Sequence, residues 1–166
     1  MRRLWLTLIA MLLVMCAASA AFAAEVRWQG WDAGLAAAKG GKRYVLVDVY
    51  TDWCGWCKRM DREVYARDDI RDYLERHFIT VKLNAESNES MTFQGETRTA
   101  RGIASGYRVT GYPTTIFLTP EGEHLANVPN YIPADRFLLL LRYIGDGHMD
   151  KGVKWEDYVA QTRAGK

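Results

Sequence analysis

Apolar positions along the chain fall into short runs separated by polar turns, and the runs have two different periods. Residues 44–50, YVLVDVY, are nearly all β-branched, aromatic or apolar, which suits a strand covered on both faces; Asp48 is the one polar interruption. Phe78 to Leu83 reads as a second buried strand, Thr114 to Leu118 as a third, and Leu125 to Val128 as a short fourth after the turn chemistry of Pro120-Glu121-Gly122-Glu123. Helical spacing appears at Trp31 to Lys39, stopped by Gly40-Gly41, and at Cys54 to Tyr65. It recurs from Asp68, a candidate cap, to His77, where Ile70, Tyr73 and Leu74 share a face. Thr99 to Tyr107 is predicted helical, Pro133 opens a helix carrying Phe137, Leu138, Leu141 and Tyr143, and Val153 to Gln161 forms a last helix that packs Trp155 and Tyr158 onto the body. The polar stretch from Asn84 to about Thr97 is predicted to be a loop. Strands alternating with helices imply an α/β fold, a sheet with helices on both faces.

The start of the chain follows a different pattern. Arg2 and Arg3 precede an apolar run from Leu4 to Val14, and small residues follow, ending in Ala21-Phe22-Ala23. That is the layout of a cleavable export signal, with the cut expected after Ala23 and Ala20 as second choice. A membrane anchor fits less well, because the run is shorter than the ~20 residues that span a bilayer. Lipid attachment at Cys16 would need a small residue where Met15 stands. Residues 24–166 are then expected to be a single domain, as the 166-residue length allows.

Composition narrows the function. Apolar residues make up 49% and charged residues 25%, enough to build a core and unlike a disordered tail. The formal charge is +2, and losing Arg2 and Arg3 leaves 20 basic against 20 acidic side chains, so nucleic acid is not an expected partner. His77, His124 and His148 read as ordinary surface histidines, and Trp28, Trp31 and Trp155 as packing residues.

Removing the signal also removes Cys16, which leaves only Cys54 and Cys57 in a compartment that favours disulfides. Cys54-Gly55-Trp56-Cys57 follows a buried strand and opens a helix, and positions i and i+3 share a helical face, close enough for a disulfide. A sulfur at a helix start lies among unpaired N–H groups and near the positive end of the dipole, which can lower a thiol pKa from ~8.5 into roughly 3.5–7.5. Cys54, expected at the exposed tip, would attack a substrate disulfide; Cys57, expected to be more buried, would resolve the mixed disulfide. Three plainer roles fit less well. A purely structural disulfide closing so short a loop removes little unfolded-state entropy. Zinc lacks further ligands, and covalent haem would need His where Lys58 stands.

The segment Asp48 to Lys58, DVYTDWCGWCK, resembles the active-site segment of the thioredoxin superfamily. Gly111-Tyr112-Pro113-Thr114 resembles that family's cis-proline loop, and Val81-Lys82-Leu83-Asn84 its central strand. The likeness covers most of residues 44–145 and implies a thioredoxin-like fold, a central mixed β-sheet flanked by helices on both faces. By resemblance, Trp53 shields the disulfide and Pro113 is cis beside it. Gly55, Trp56 and Tyr112 complete the expected substrate-binding set. Asp48 matches the family's buried acid, which exchanges a proton with the resolving cysteine, and Lys82 matches the lysine that accompanies it. A purely structural, satisfied Asp48 is the alternative. The polar stretch 85–98 looks longer than its thioredoxin counterpart and is read either as a partner-specific surface or as a solvated loop.

The Gly55-Trp56 dipeptide carries no histidine, which removes one source of thiolate stabilisation and tilts the expected direction toward reduction of protein disulfides. The tail from Gly122 to Tyr143 is similar to exported thioredoxin-like proteins of the sulfur-oxidation-associated type, whose resemblance implies a membrane thiol electron donor. The resulting expectation is a monomeric, periplasmic thiol-disulfide oxidoreductase with no cofactor and no metal, whose partners are protein disulfides and dithiols. An oxidase or isomerase on the same fold, and a non-redox binding or chaperone-like module, remain the alternatives.

Overall fold

The computed structural model describes residues 25–164. The expected signal segment, residues 1–23, lies outside them. A four-stranded mixed sheet is built from β1 (Tyr44–Tyr50), β2 (Phe78–Asn84), β5 (Thr114–Leu118) and β6 (His124–Pro129), in the order β2-β1-β5-β6. Strand β1 runs parallel to β2 and antiparallel to β5, and β5 pairs antiparallel with β6. Residue Gln29 adds an isolated parallel bridge to Val81 on the far side of β2.

Helices cover both faces. On one face α1 (Trp31–Ala38) and α4 (Ala100–Gly106) enclose Val45, Val47, Val49, Ile79, Val81, Leu83, Ile116 and Leu118. Close approach is possible because α1 carries Gly34, where a Cβ would come 2.3 Å from Val81 Cγ2. On the other face, α3 (Asp68–His77) and α5 (Ala134–Gly145) pack against Leu46, Phe78 and Phe117. The final helix α6 (Trp155–Ala164) sets Trp155 and Tyr158 against Tyr143, at ring distances of 5.3 and 5.4 Å. Among the described residues no helix is long and apolar enough to cross a membrane.

Three local expectations need correction. The stretch Asn84–Thr97 is not all loop: β3 (Ser90–Phe93) and β4 (Glu96–Thr99) form a hairpin. Its two turn residues, Gln94 (φ 52°) and Gly95 (φ 81°), both take the positive φ of a tight two-residue turn. Helix α1 holds the hairpin, since Trp31 Nε1 donates to the Thr92 carbonyl (2.8 Å) and Thr92 N–H to Asp32 Oδ1 (2.9 Å). Asp68 does not cap α3. The cap is Arg67, in extended conformation, and Asp68 is the first helical residue, where its charge still suits the positive helix end. The helix expected over 54–65 is two pieces: α2 (Gly55–Met60) passes directly into a π-helical turn over Asp61–Tyr65.

Candidate active site

Strand β1 ends at Tyr50, and a tight connection, with Cys54 N–H donating to the Thr51 carbonyl (3.2 Å), carries the chain into α2. Cys54 is the N-cap of α2, and its Sγ accepts a hydrogen bond from Cys57 N–H at 3.0 Å. The two cysteines form a disulfide with a Cα–Cα separation of 5.3 Å. Both are 3% exposed, so the expected contrast between an exposed Cys54 and a buried Cys57 is absent in this oxidised form. The bond and the Cys57 N–H set Cys54 Sγ against the first helical turn.

Beside this buried disulfide stand the exposed large apolar side chains among the described residues, Trp53 (66%) and Trp56 (54%). Trp53 meets Tyr112 edge-on at 6.0 Å and donates from Nε1 to Glu86 Oε2 (3.0 Å). Trp56 lies 5.5 Å from Tyr131, and the Arg59 guanidinium sits over both rings, at 5.2 and 5.1 Å. Glu63 fixes that guanidinium (2.8 Å) and accepts from Tyr131 Oη (2.9 Å). Gly55 is exposed, with open space where a Cβ would stand. The Tyr112–Pro113 peptide bond is cis, and Pro113 is buried with its carbonyl accepting from Asn130 N–H (2.8 Å).

Asp48 and Lys82 lie opposite each other in the β1–β2 register. Asp48 is 1% exposed, and its Oδ2 is 2.7 Å from Lys82 Nζ. The same ammonium is 2.7 Å from Asp61 Oδ1 and faces the rings of Trp28 (4.8 Å), Tyr50 (5.0 Å) and Tyr65 (5.7 Å). Burial pushes the Asp48 carboxyl above the usual carboxylate range, and Lys82 only partly offsets it. Burial acts to lower Lys82, but Asp48 and Asp61 outweigh it and hold the ammonium above its ordinary value. A cleft of about 480 Å³ lined by Trp28, Asp61, Tyr65 and Lys82 reaches the lysine side of this ion pair, while Asp48 stays buried behind it. A carboxyl so buried holds a proton more readily than an exposed one, and the two sulfurs can cycle between disulfide and dithiol. Among the described residues no cluster of three metal-ligating side chains occurs.

The family model of a thioredoxin-like domain matches residues 31–145. The chain belongs to that family. This thioredoxin-like chain is 33% identical over 93 residues to the thiol:disulfide interchange protein DsbD 2 of Pseudomonas aeruginosa, covering 55% of this chain and 14% of that protein. It is 22% identical over 107 residues to the disulfide bond reductase DsbH of Chlamydia pneumoniae, covering 64% of each. It therefore spans less than two thirds of either relative's length. Its fold matches that of a thioredoxin-fold protein from Helicobacter pylori with a TM-score of 0.65 and 23% identity, over 80% of this chain and 92% of that one.

Of the residues singled out in the sequence, the structure brings Trp53, Cys54, Gly55, Trp56 and Cys57 together at the start of α2, joins Tyr112 to Trp53, and pairs Asp48 with Lys82. Sequence reasoning missed the thioredoxin-like domain's second carboxylate, Asp61, although its position four residues after Cys57 on one helix face was a usable signal. It also missed Tyr65, Tyr131 and Glu86. Trp28 was read as packing alone, yet it covers the Lys82 ammonium.

Proposed function

We propose that this thioredoxin-like chain is a thiol-disulfide oxidoreductase of the periplasm that reduces protein disulfides. The observation that carries the proposal is the Cys54–Cys57 disulfide at the N-cap of α2, ringed by exposed tryptophans, with a buried acid in the strand that leads to it. In the reduced protein the Cys54 thiolate attacks one sulfur of a substrate disulfide. That S–S bond breaks, a mixed disulfide forms, and the first substrate thiolate leaves and takes a proton. The Cys57 thiol then loses its proton to Asp48 and attacks Cys54 Sγ. The second substrate thiolate departs and takes up a proton, Asp48 returns its proton to solvent, and the enzyme is left oxidised by two electrons as the disulfide. A dithiol donor at the membrane returns two electrons and two protons.

Trp53, Trp56, Tyr112 and Pro113 form the surface on which a substrate segment lies, and Lys82 keeps Asp48 oriented. Reduction is favoured over oxidation by the Gly55-Trp56 dipeptide, which brings no histidine to stabilise the thiolate, and by the relative named as a disulfide bond reductase. Export is supported by the signal-like pattern of residues 1–23. Replacing Cys54→Ser is expected to abolish turnover in an insulin-type disulfide reduction assay, and retained turnover overturns the assignment. Equilibration of the oxidised protein with glutathione sets the direction: a potential near roughly −270 mV marks a reductant, and one near roughly −120 mV an oxidant.

A further inference from the structure

The described residues contain three buried side-chain oxygens without a hydrogen-bond partner: Asp48 Oδ1, Thr51 Oγ1 and Tyr65 Oη. Buried polar groups are nearly always satisfied, so the two of them that belong to residues on the Lys82 ammonium, Asp48 and Tyr65, call for a reason. Tyr65 is 3% exposed, and its ring is held edge-on by Trp28 at 4.9 Å and Phe137 at 5.6 Å. These contacts account for an aromatic ring; a phenylalanine would serve them equally, and they leave the hydroxyl unexplained. The ring face also lies 5.7 Å from Lys82 Nζ, the atom that is 2.7 Å from Asp48 Oδ2. Tyr65 therefore stands on the same ammonium as Asp48 does. The π-helical turn over Asp61–Tyr65 puts it there: the turn's first residue reaches Lys82 by an ion pair and its last by a ring. Such turns recur at functional sites.

We propose that Tyr65 is the positioning residue of Asp48: its hydroxyl donates to Oδ1 when the carboxylate is charged and accepts from Oδ1 when the acid is protonated. This rests on the reading of Asp48 as the proton acceptor of Cys57. In that step the Cys57 S–H bond breaks and an Asp48 O–H bond forms, while the Tyr65 O–H bond stays intact and only reverses its role. The acid keeps one orientation in both states because Lys82 holds Oδ2 and Tyr65 holds Oδ1. Burial, and next the charge of Asp48, hold the phenol well above its ordinary range, so it stays neutral while its neighbour titrates. The other titratable groups facing Asp48 are Lys82 on β2, Asp61 on the π-helical turn, and Tyr50 on its own strand. From β5 the facing residue is the neutral Thr115. Among the described residues none of these donates to Oδ1, and the Thr115 hydroxyl lies beside the Tyr65 hydroxyl as well.

The test is Tyr65→Phe, read by NMR titration of the Asp48 carboxyl carbon in the oxidised protein. The variant loses both bonds, and because the one to the charged carboxylate is the stronger, the midpoint rises; a rise of about one pH unit, a tenfold change in the protonation equilibrium, is expected. An unmoved midpoint in a folded variant overturns the proposal and assigns Oδ1 to water. A second measurement needs no variant: in the wild-type protein the hydroxyl-bearing ring carbon of Tyr65 should shift with the Asp48 midpoint. A Tyr65 signal blind to that titration also overturns it. Both readouts use the oxidised chain without substrate. A wild-type protein inactive in disulfide reduction would therefore count against the proposed function and leave this result standing.

Discussion

The two faces of the central sheet are built from alternate residues of the same strands, yet their chemistry differs. Toward α1 and α4, Val45, Val47 and Val49 of β1 meet Ile79, Val81, Leu83, Ile116 and Leu118, an aliphatic surface with only the neutral Thr114 at its end. Toward α3 and α5, Leu46 and Phe117 begin as hydrophobically, but the next positions along are Asp48, Lys82 and Thr115, side by side across three strands. Those polar positions lie at the end of β1 that feeds the disulfide. The first face is apolar packing, and the second carries a buried carboxyl near the cysteines, the group that the proposed function uses as a proton acceptor. A carboxylate buried there is costly, and evolution of a merely stable core would have placed an aliphatic residue at Asp48.

Three substitutions test that contrast. Leu83→Ala, on the apolar face, should cost about 2–5 kcal/mol in denaturant unfolding of the oxidised protein, because the cavity has rigid walls. It should leave the Asp48 titration where it was; a shifted midpoint would mean that the two faces are not independent. Asp48→Asn should act in the opposite direction. Because burial raises the folded carboxyl above its unfolded value of ~3.9, the stability this group contributes is fully present below that value and lost as pH rises through the folded midpoint. The asparagine variant is therefore expected to be more stable than wild type at neutral pH, with the advantage shrinking as pH falls to about 4. A constant difference across that window would show that Asp48 is not the titrating group. The smallest effect belongs to the exposed rim: Glu86→Gln, which removes the charged partner of Trp53 Nε1, should change stability by less than about 0.5 kcal/mol. A larger loss would make the rim part of the folding core.

Much of this architecture was legible in the chain because burial leaves a period. The four sheet strands, α1, α3, α4 and α5 all fall within a residue or two of where the apolar spacing put them. Asp48 was visible as a carboxylate where a strand wants an aliphatic residue. The β3–β4 hairpin was not recognised, since eight polar and small residues outweigh Met91 and Phe93; the Gln94-Gly95 pair between two alternating runs was the available signal. Equal burial of Cys54 and Cys57 was also out of reach, because a position at a helix start does not tell what packs around it.

The sequence by itself determined the order of elements, the two sulfurs at a helix start and an acid six residues before them, because each depends on neighbours a few positions apart. Lys82 was expected beside that acid from the resemblance, but only the tertiary structure brought Asp61, Tyr65 and Trp28 onto the same ammonium. Lys82, Asp61, Tyr65 and Trp28 come from β2, the π-helical turn and the segment before α1, and their meeting depends on how the sheet and helices pack. The ionisation of a buried group is set by those few ångströms of surroundings, which no local pattern in the chain records.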